Sequence, residues 1–510
     1  MTEKRFASID VGSFELEIGI YEIHESRGIR LLDSVRHVIA LGSDTYNTGV
    51  ISYGLVQEMI STLKDFTDIM KTYRCSAYRA IATSAMREAE NSAIVLDQIR
   101  TRTGIAVQII SNAEQRMLSL KALSVRGKRF DTLIAEGTAI VEMGFGSMQI
   151  TLYDRGTMVS TQNLRLGALR IRDTLERLDA SREAQRLILE EMVDHELDIY
   201  CRLHLGKRKI RNMIAVGDPI RILYDRLMRK ARRDPVQEDS ADRNAVRGFY
   251  EYVTERTNAQ LERGLGLSAE SASVLVPTAI VYRRVLEAVD AQQVWFAGTR
   301  LIDGLAAEYA LNHRILGNSH DFDADIISAV SEISARYGEG TAHRQYAVRN
   351  TLKIFDALRK PQGFQKRDRL LLQIAALLHH CGRFINMGRA SLSSCDIIHA
   401  TELVGLSRQE HELIAQILKN EEEQFRWSGL PMQVAKFTAI IRLADALDRS
   451  AKQKAGTYKI RMDAEERLII STDYPGDMTL ERLSFEQSKI LFSSIFGIEP
   501  VFRQKRRKVS

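Results

Sequence analysis

The chain has 510 residues, too many for one hydrophobic core and enough for roughly three to four domains. Its 45% apolar content allows large buried cores, and no run of about 18 apolar residues marks a membrane span. Four scattered cysteines exclude a disulfide framework, and a formal charge of +6 is modest for this length.

The first 125 residues alternate strands with helices. Strands are expected at 5–10, 14–23, 28–39, 77–82 and 106–110, and helices near 53–72, 91–103 and 112–124. A tight turn follows the first strand at Asp10-Val11-Gly12-Ser13. Residues 126 to 310 restart with strands at 131–142 and 147–154 around a second turn, Glu142-Met143-Gly144-Phe145-Gly146-Ser147. Glycines there let the backbone approach an anion and take positive φ. Helices near 181–204 and 236–264 and a strand at 293–297 follow. Two strand–turn–strand cradles, each led by a carboxylate, predict two related lobes facing a cleft that grips phosphate.

From about residue 320 the pattern is helical, with apolar spacing over 326–337, 343–358, 368–380, 402–419 and 434–450. The last segment reads as strands at 457–462 and 467–473, a helix at 478–492 and a short strand at 499–502. The domains expected are therefore 1–125, 126–310, 320–453 and 456–510. With seven prolines in all, Pro-rich linkers are not expected. Without a leader pattern at its start, the chain reads as cytoplasmic. Basic clusters at 226–233 and 503–508 read as solvated charge runs or as contacts for a polyanion, with nucleic acid not the expected partner.

These motifs resemble those of the Ppx/GppA family, exopolyphosphatases and guanosine pentaphosphate phosphohydrolases built on the actin/hexokinase-like (ribonuclease H-like) fold. The family's Asp-x-Gly-Ser-Asn-Ser appears as Asp10 to Glu15, and its Ala-Thr-Ser-Ala-Leu-Arg as Ala82 to Arg87. Its Ile-Ser-Gly-x-Glu-Glu-Ala appears as Ile110 to Arg116, and its Asp-Ile-Gly-Gly-Gly-Ser-x-Glu as Glu142 to Gln149. Leu166-Gly167-Ala168 and Arg170 match Leu-Gly-Ala-x-Arg. The resemblance implies two such lobes, then an HD-type helical domain and a small α+β end-domain. It also implies polyphosphate or a guanosine polyphosphate as ligand, with Mg²⁺. Asp10, Glu142, Gln115 and Gln149 then stand at the catalytic positions, and Gly12, Ser13, Thr83, Arg87, Gly144, Gly146 and Ser147 at the phosphate positions. A homodimer is left open.

Several of these positions are changed. The family's base, its second Glu, is Gln115, whose amide can orient water but cannot take its proton. Glu114 reads instead as a helix cap, since Ser111-x-x-Glu114 precedes an apolar run. The loop Asp is Glu142, and the closing Glu is Gln149. In the first turn Asn and Ser become Phe14 and Glu15, and the alternation that follows predicts a solvated Glu15. The family's Ser-Gly-Thr aligns with Val216-Gly217-Asp218, and its Leu-Arg-Asp/Glu-Gly with Leu301 to Gly304, without the arginine.

In the helical region, the resemblance implies a divalent-metal constellation of His343, His379, His380 and Asp445. Leu378-His379-His380-Cys381-Gly382 stands for the usual Leu-His-Asp-x-Gly. Imidazoles there suit a transition metal, while the plain reading makes them packed core histidines. Cys381, Cys395 and His399 have no standard zinc spacing. Three functions compete: a working phosphoanhydride hydrolase that releases terminal phosphate, a catalytically silent relative that senses a ligand or holds a partner, and a metal-dependent phosphohydrolase of the helical region.

Overall fold

The computed structural model describes residues 4–178, 180–217, 219–220, 240–317, 320–337, 341–420 and 429–504. The basic cluster at 226–233, Asp218, and the tail beyond residue 504 lie outside these residues. The chain divides into two compact units, Met1–Phe322 and Asp323–Ser510.

The first unit holds two sheets. One is built from β1 (Lys4–Val11), β2 (Glu15–His24), β3 (Gly28–Val38), β4 (Ala77–Ala82) and β5 (Val107–Ile109), in the order β3-β2-β1-β4-β5. The other contains β6 (Thr138–Met143), β7 (Met148–Asp154), β8 (Thr157–Leu164), β9 (Asn212–Val216), β10 (Ser240–Asp242) and β11 (Gln293–Phe296), in the order β10-β11-β9-β6-β7-β8. Each sheet places its first strand centrally, with an antiparallel meander on one side and two parallel strands on the other, and the second sheet adds β10 antiparallel at that edge. The restart read in the sequence is thus a repeated topology.

Helices cover these sheets because their apolar stripes need burial. In chain order they are α1 (Leu41–Thr48), α2 (Tyr53–Thr72), α3 (Ser84–Glu88), α4 (Ser92–Thr103), α5 (Asn112–Ser124), α6 (Lys128–Ile134), α7 (Ala168–Glu176), α8 (Arg182–Tyr200), α9 (Arg243–Thr254), α10 (Asn258–Leu265), α11 (Ala269–Ser273), α12 (Leu275–Val289) and α13 (Leu301–Asn312). The first sheet buries Ile9, Ile18, Leu63 and Phe66 in one core, and the second buries Ile150, Leu152, Val193 and Val285 in another. A third core joins Phe6, Tyr21 and Ile23 of the first sheet to Ile302, Leu305 and Ala306 of α13. The chain therefore completes the second sheet before α13 returns to cover the first.

Three expectations are corrected here. The first four residues of the strand read over 131–142 belong to helix α6, and β6 begins only after Gly137. A Cβ on Gly137 would stand 1.9 Å from the Lys209 carbonyl, so glycine is required where the chain enters the sheet. Of the helix read over 236–264, residues 236–239 lie outside the described residues, 240–242 form strand β10, and the remainder is two helices, interrupted where the Thr257 side chain caps α10. The helix read over 402–419 starts at Arg408, behind a Ser407–Glu410 capping box.

The second unit continues with α14 (Phe322–Arg336), α15 (Thr341–Gln362), α16 (Lys366–Leu378), α17 (Ala390–His399), α18 (Arg408–Lys419) and α19 (Met432–Ala446). A three-stranded sheet follows, β12 (Lys459–Met462), β13 (Leu468–Thr472) and β14 (Pro500–Gln504), with α20 (Thr479–Phe496) between its last two strands. No described helix is long and apolar enough to cross a membrane.

Candidate functional site

The β1–β2 and β6–β7 turns are built alike. In the first, the Gly12 amide donates to the Glu15 carbonyl at 3.0 Å; in the second, the Gly144 amide donates to the Ser147 carbonyl at 2.9 Å. Each carboxylate, Asp10 or Glu142, stands two residues before that glycine. Neither glycine takes a positive φ. Space accounts for Gly146 instead: a Cβ there would lie 2.0 Å from the Tyr46 hydroxyl and 2.3 Å from Ser84 Oγ.

The two turns meet. Phe14, 1% exposed, stacks on Phe145 at 4.4 Å between ring centres. Arg170 donates from Nε to the Gly146 carbonyl at 3.0 Å and from Nη2 to Glu88 at 2.8 Å, and it lies over the Tyr46 ring. Ser13 Oγ bonds the Tyr46 hydroxyl and Ser84 Oγ at 2.9 and 2.8 Å. Between the turns is a cavity of about 70 Å³. Asp10, Gly12, Ser13, Thr83, Gln115, Glu142, Gly144, Gly146 and Ser147 line it, as the sequence reading places them.

Arg87 and Gln149 do not line it. Arg87 turns to the Ile110 carbonyl, 2.5 Å from Nη1, and to the Asn112 side chain. It therefore holds the start of α5 rather than the cavity. Gln149, 2% exposed, accepts from Arg116 Nε at 2.9 Å. Glu15 is also corrected: its side chain is 13% exposed and lines the cavity, with Arg36 Nη1 3.9 Å away. The charged face of β2 is covered by arginines, not water. Arg36 lies across from Glu17 in register, and Arg300 pairs with the same carboxylate from above.

Glu114 is a cap, as read: the Ser111 side chain accepts from the Glu114 amide, and Glu114 accepts from the Ser111 amide at 2.9 Å. That cap aims the next residue inward. Gln115 Nε2 donates to Glu142 Oε1 at 3.4 Å. Burial pushes the Glu142 carboxyl up, while Ser119, Gln115 and Arg116 pull against it. Sequence reasoning missed two buried cations here. Arg116 is 2% exposed and stands where the family pattern has alanine; that exchange was its visible signal. Arg300, 8% exposed, lines the cavity two residues before the aligned motif position, so the motif itself could not reveal it.

In the second unit, the predicted metal residues converge. His343, His379 and His380 present Nε2 at 3.6, 3.7 and 3.5 Å from one atom, Asp445 Oδ1. His343 Nδ1 is 2.7 Å from Asp448 Oδ2, and His379 Nδ1 is 2.8 Å from the Ala376 carbonyl. The carboxylates of Asp445 and Asp448 lift the His343 imidazole to about 9 in the ion-free chain. Cys381 and Cys395 are buried free thiols; Cys395 lies 3.8 Å from His399 Nδ1, and neither cysteine belongs to the metal-competent group among the described residues.

Comparison with known proteins adds the following. The model of the Ppx/GppA phosphatase family matches residues 20–313, and that of Ppx/GppA phosphatase, domain III, matches residues 327–488. A guanosine-5'-triphosphate,3'-diphosphate pyrophosphatase of Aeromonas salmonicida is 22% identical over 92% of each chain. Exopolyphosphatase 1 of Mycobacterium tuberculosis is 23% identical over 59% of this chain and 87% of its own. The crystal structure of the Aquifex aeolicus Ppx/GppA family member superposes with a TM-score of 0.51 at 18% identity, covering 61% of this chain and 99% of that one.

Proposed function

The chain belongs to the Ppx/GppA phosphatase family, and we propose that its cavity binds the phosphoanhydride end of polyphosphate or a guanosine polyphosphate and hydrolyses it slowly or not at all. One observation carries this reading. Carboxylates from two equivalent turns, Asp10 and Glu142, line one cavity, and the side chain at the base position is an amide already bonded to Glu142. The relatives' names support both ligand types, since a pyrophosphatase of a guanosine polyphosphate aligns along nearly the whole chain.

The donor set fits Mg²⁺. Asp10, Glu15 and Glu142 bring carboxylate oxygens to the same wall, and hard oxygen ligands suit that ion. Asp10 and Glu142 would hold it, and the ion would neutralise phosphoryl oxygens that three carboxylates alone would repel. Gln115 can orient a water by hydrogen bonding, but its amide has no basic site for the proton. A positioned general base contributes roughly 10²–10⁴-fold, so its loss alone makes turnover slow. Arg116 adds a cation under a wall from which two family carboxylates are gone. In the same reading the second unit is an HD-type helical domain with a small α+β end. The chain order of His343, His379-His380 and Asp445 on its helices supports the first part.

The test is phosphate release from long-chain polyphosphate with Mg²⁺, comparing wild type with the restored set Gln115→Glu, Arg116→Ala, Glu142→Asp and Gln149→Glu. The restored chain is expected to be faster by about 10²-fold or more. A wild type that already turns over at ordinary enzyme rates, with no gain on restoration, overturns the reading.

A further inference from the structure

We propose that a further cavity of the first unit, walled by α7, α8, α10 and α12, binds an aliphatic monocarboxylate, with the chain on its apolar lining and the carboxylate on Arg186. This cavity is distinct from the one between the two turns, and its ligand does not rest on the function proposed there.

The cavity measures about 740 Å³, within the roughly 300–1,000 Å³ usual for small-molecule sites. It is framed by the end of α7, the first two turns of α8, the start of α10 and the start of α12. Much of the lining is aliphatic. Leu189 and Ile280 are fully buried, and Leu175, Val276 and Pro277 extend the apolar surface. Among the described residues no aromatic side chain lines the cavity. Bases are held by stacking on aromatic faces, so this lining suits a saturated chain better than a nucleobase.

Three guanidinium groups line the same cavity, and they differ in what already holds them. Arg172 is committed: Nε and Nη2 donate to Asp173 at 2.9 and 2.5 Å, and Nη1 donates to Ser273 at 3.3 Å. Arg182 donates to the Arg256 carbonyl. Arg186 has no hydrogen bond or ion pair among the described residues, although its Nε is buried. One turn along α8, Glu190 does not serve it; that carboxylate accepts from the Tyr250 hydroxyl at 2.7 Å and lies 3.9 Å from Arg283. A buried charged donor without an acceptor is costly, and a carboxylate laid against the guanidinium edge would supply two.

The remaining charges set how many the ligand can carry. Glu176 and Glu183 also line the cavity, and both are exposed. With Arg172 neutralised by Asp173, these two carboxylates offset the other two guanidiniums. A ligand with several negative charges would meet repulsion at the opening, whereas a single carboxylate can pair with Arg186.

The test uses the full-length chain, titrated calorimetrically with octanoate, butyrate, octyl phosphate and inorganic phosphate. One octanoate per chain is expected. Butyrate should bind at least about tenfold more weakly, since each buried CH₂ is worth up to about fourfold in affinity. Octyl phosphate, with the same chain and more charge, should bind more weakly than octanoate, and inorganic phosphate should not compete. Arg186→Gln should bind octanoate at least about tenfold more weakly, with folding checked by circular dichroism. Should it unfold, Arg186→Lys keeps the charge without the planar fork and should still weaken binding severalfold. Ala259→Trp, at an exposed lining position, should fill the opening and remove binding. No binding of octanoate at millimolar concentration overturns the site. Equal binding by wild type and folded Arg186→Gln, or by folded Arg186→Lys, overturns the role of that guanidinium. Tighter binding of octyl phosphate overturns the single charge, and unchanged binding in Ala259→Trp overturns this cavity as the place. The presence or absence of polyphosphate hydrolysis bears on none of these results.

Discussion

The two candidate sites present opposite charge arrangements. The cavity of the first unit is small and walled by carboxylates, and its buried cations are engaged by neighbours: Arg300 by Glu17, and Arg116 by Gln149. In the function proposed above, an anion would enter there alongside a cation. The pocket of the second unit is roomier and lined by arginines, with a single carboxylate at its floor. The contrast follows from the supporting elements. Two strand turns can bring backbone and short side chains close together, as at Gly146, whereas helices space long side chains around a wider opening.

Four experiments probe this contrast. The largest effect is expected from Phe14→Ala, which removes the ring stacked between the two turns. Deleting a buried phenylalanine costs about 3–5 kcal/mol, to be read from urea unfolding of the variant beside wild type. A loss below about 1 kcal/mol would mean that the turns are not held together by this stack. Metal addition should strengthen the other site: Co²⁺ at 100 times its dissociation constant adds about 2.7 kcal/mol, seen as an upward shift in thermal unfolding that His380→Asn lacks. Ser111→Ala should cost about 1 kcal/mol by uncapping α5, the helix that carries Gln115 and Arg116. Polyphosphate binding should weaken with it, which isothermal titration would detect. Glu88→Gln breaks the half-exposed pair with Arg170 and should cost under about 1 kcal/mol; a larger loss in the melting curve would show that Arg170 needs that anchor to hold the Gly146 turn.

Much of the first site was legible because it is made of short local patterns. Asp10-x-Gly12 and Glu142-x-Gly144 announce their turns, and Ser111-x-x-Glu114 announces its cap. Glu15 was misplaced because alternation reports only which face a residue takes, not what covers that face. Here the cover is Arg36, one strand away, and Arg300, nearly 300 residues along the chain. Arg87 was misplaced for the converse reason. Its motif is nearly intact, with Met86 for the family's leucine, but Asn112 stands where the family pattern has glycine, and its side chain accepts from the guanidinium. The convergence of His343, His379 and His380 on one oxygen is tertiary geometry that spacing alone could not decide between packing and ligation. Helix α6 escaped notice because its seven residues are too short to show a helical period, and their apolar content runs on into β6.

The return of α13 to the first sheet sets an order on synthesis. While the ribosome is still making the second sheet, Phe6, Tyr21 and Ile23 have no partner from residues 301–312. The part of the protein that is translated first is therefore among the last to be finished. A nascent chain stalled before Leu301 should be cut by protease within β1–β2, and one released after Asn312 should resist.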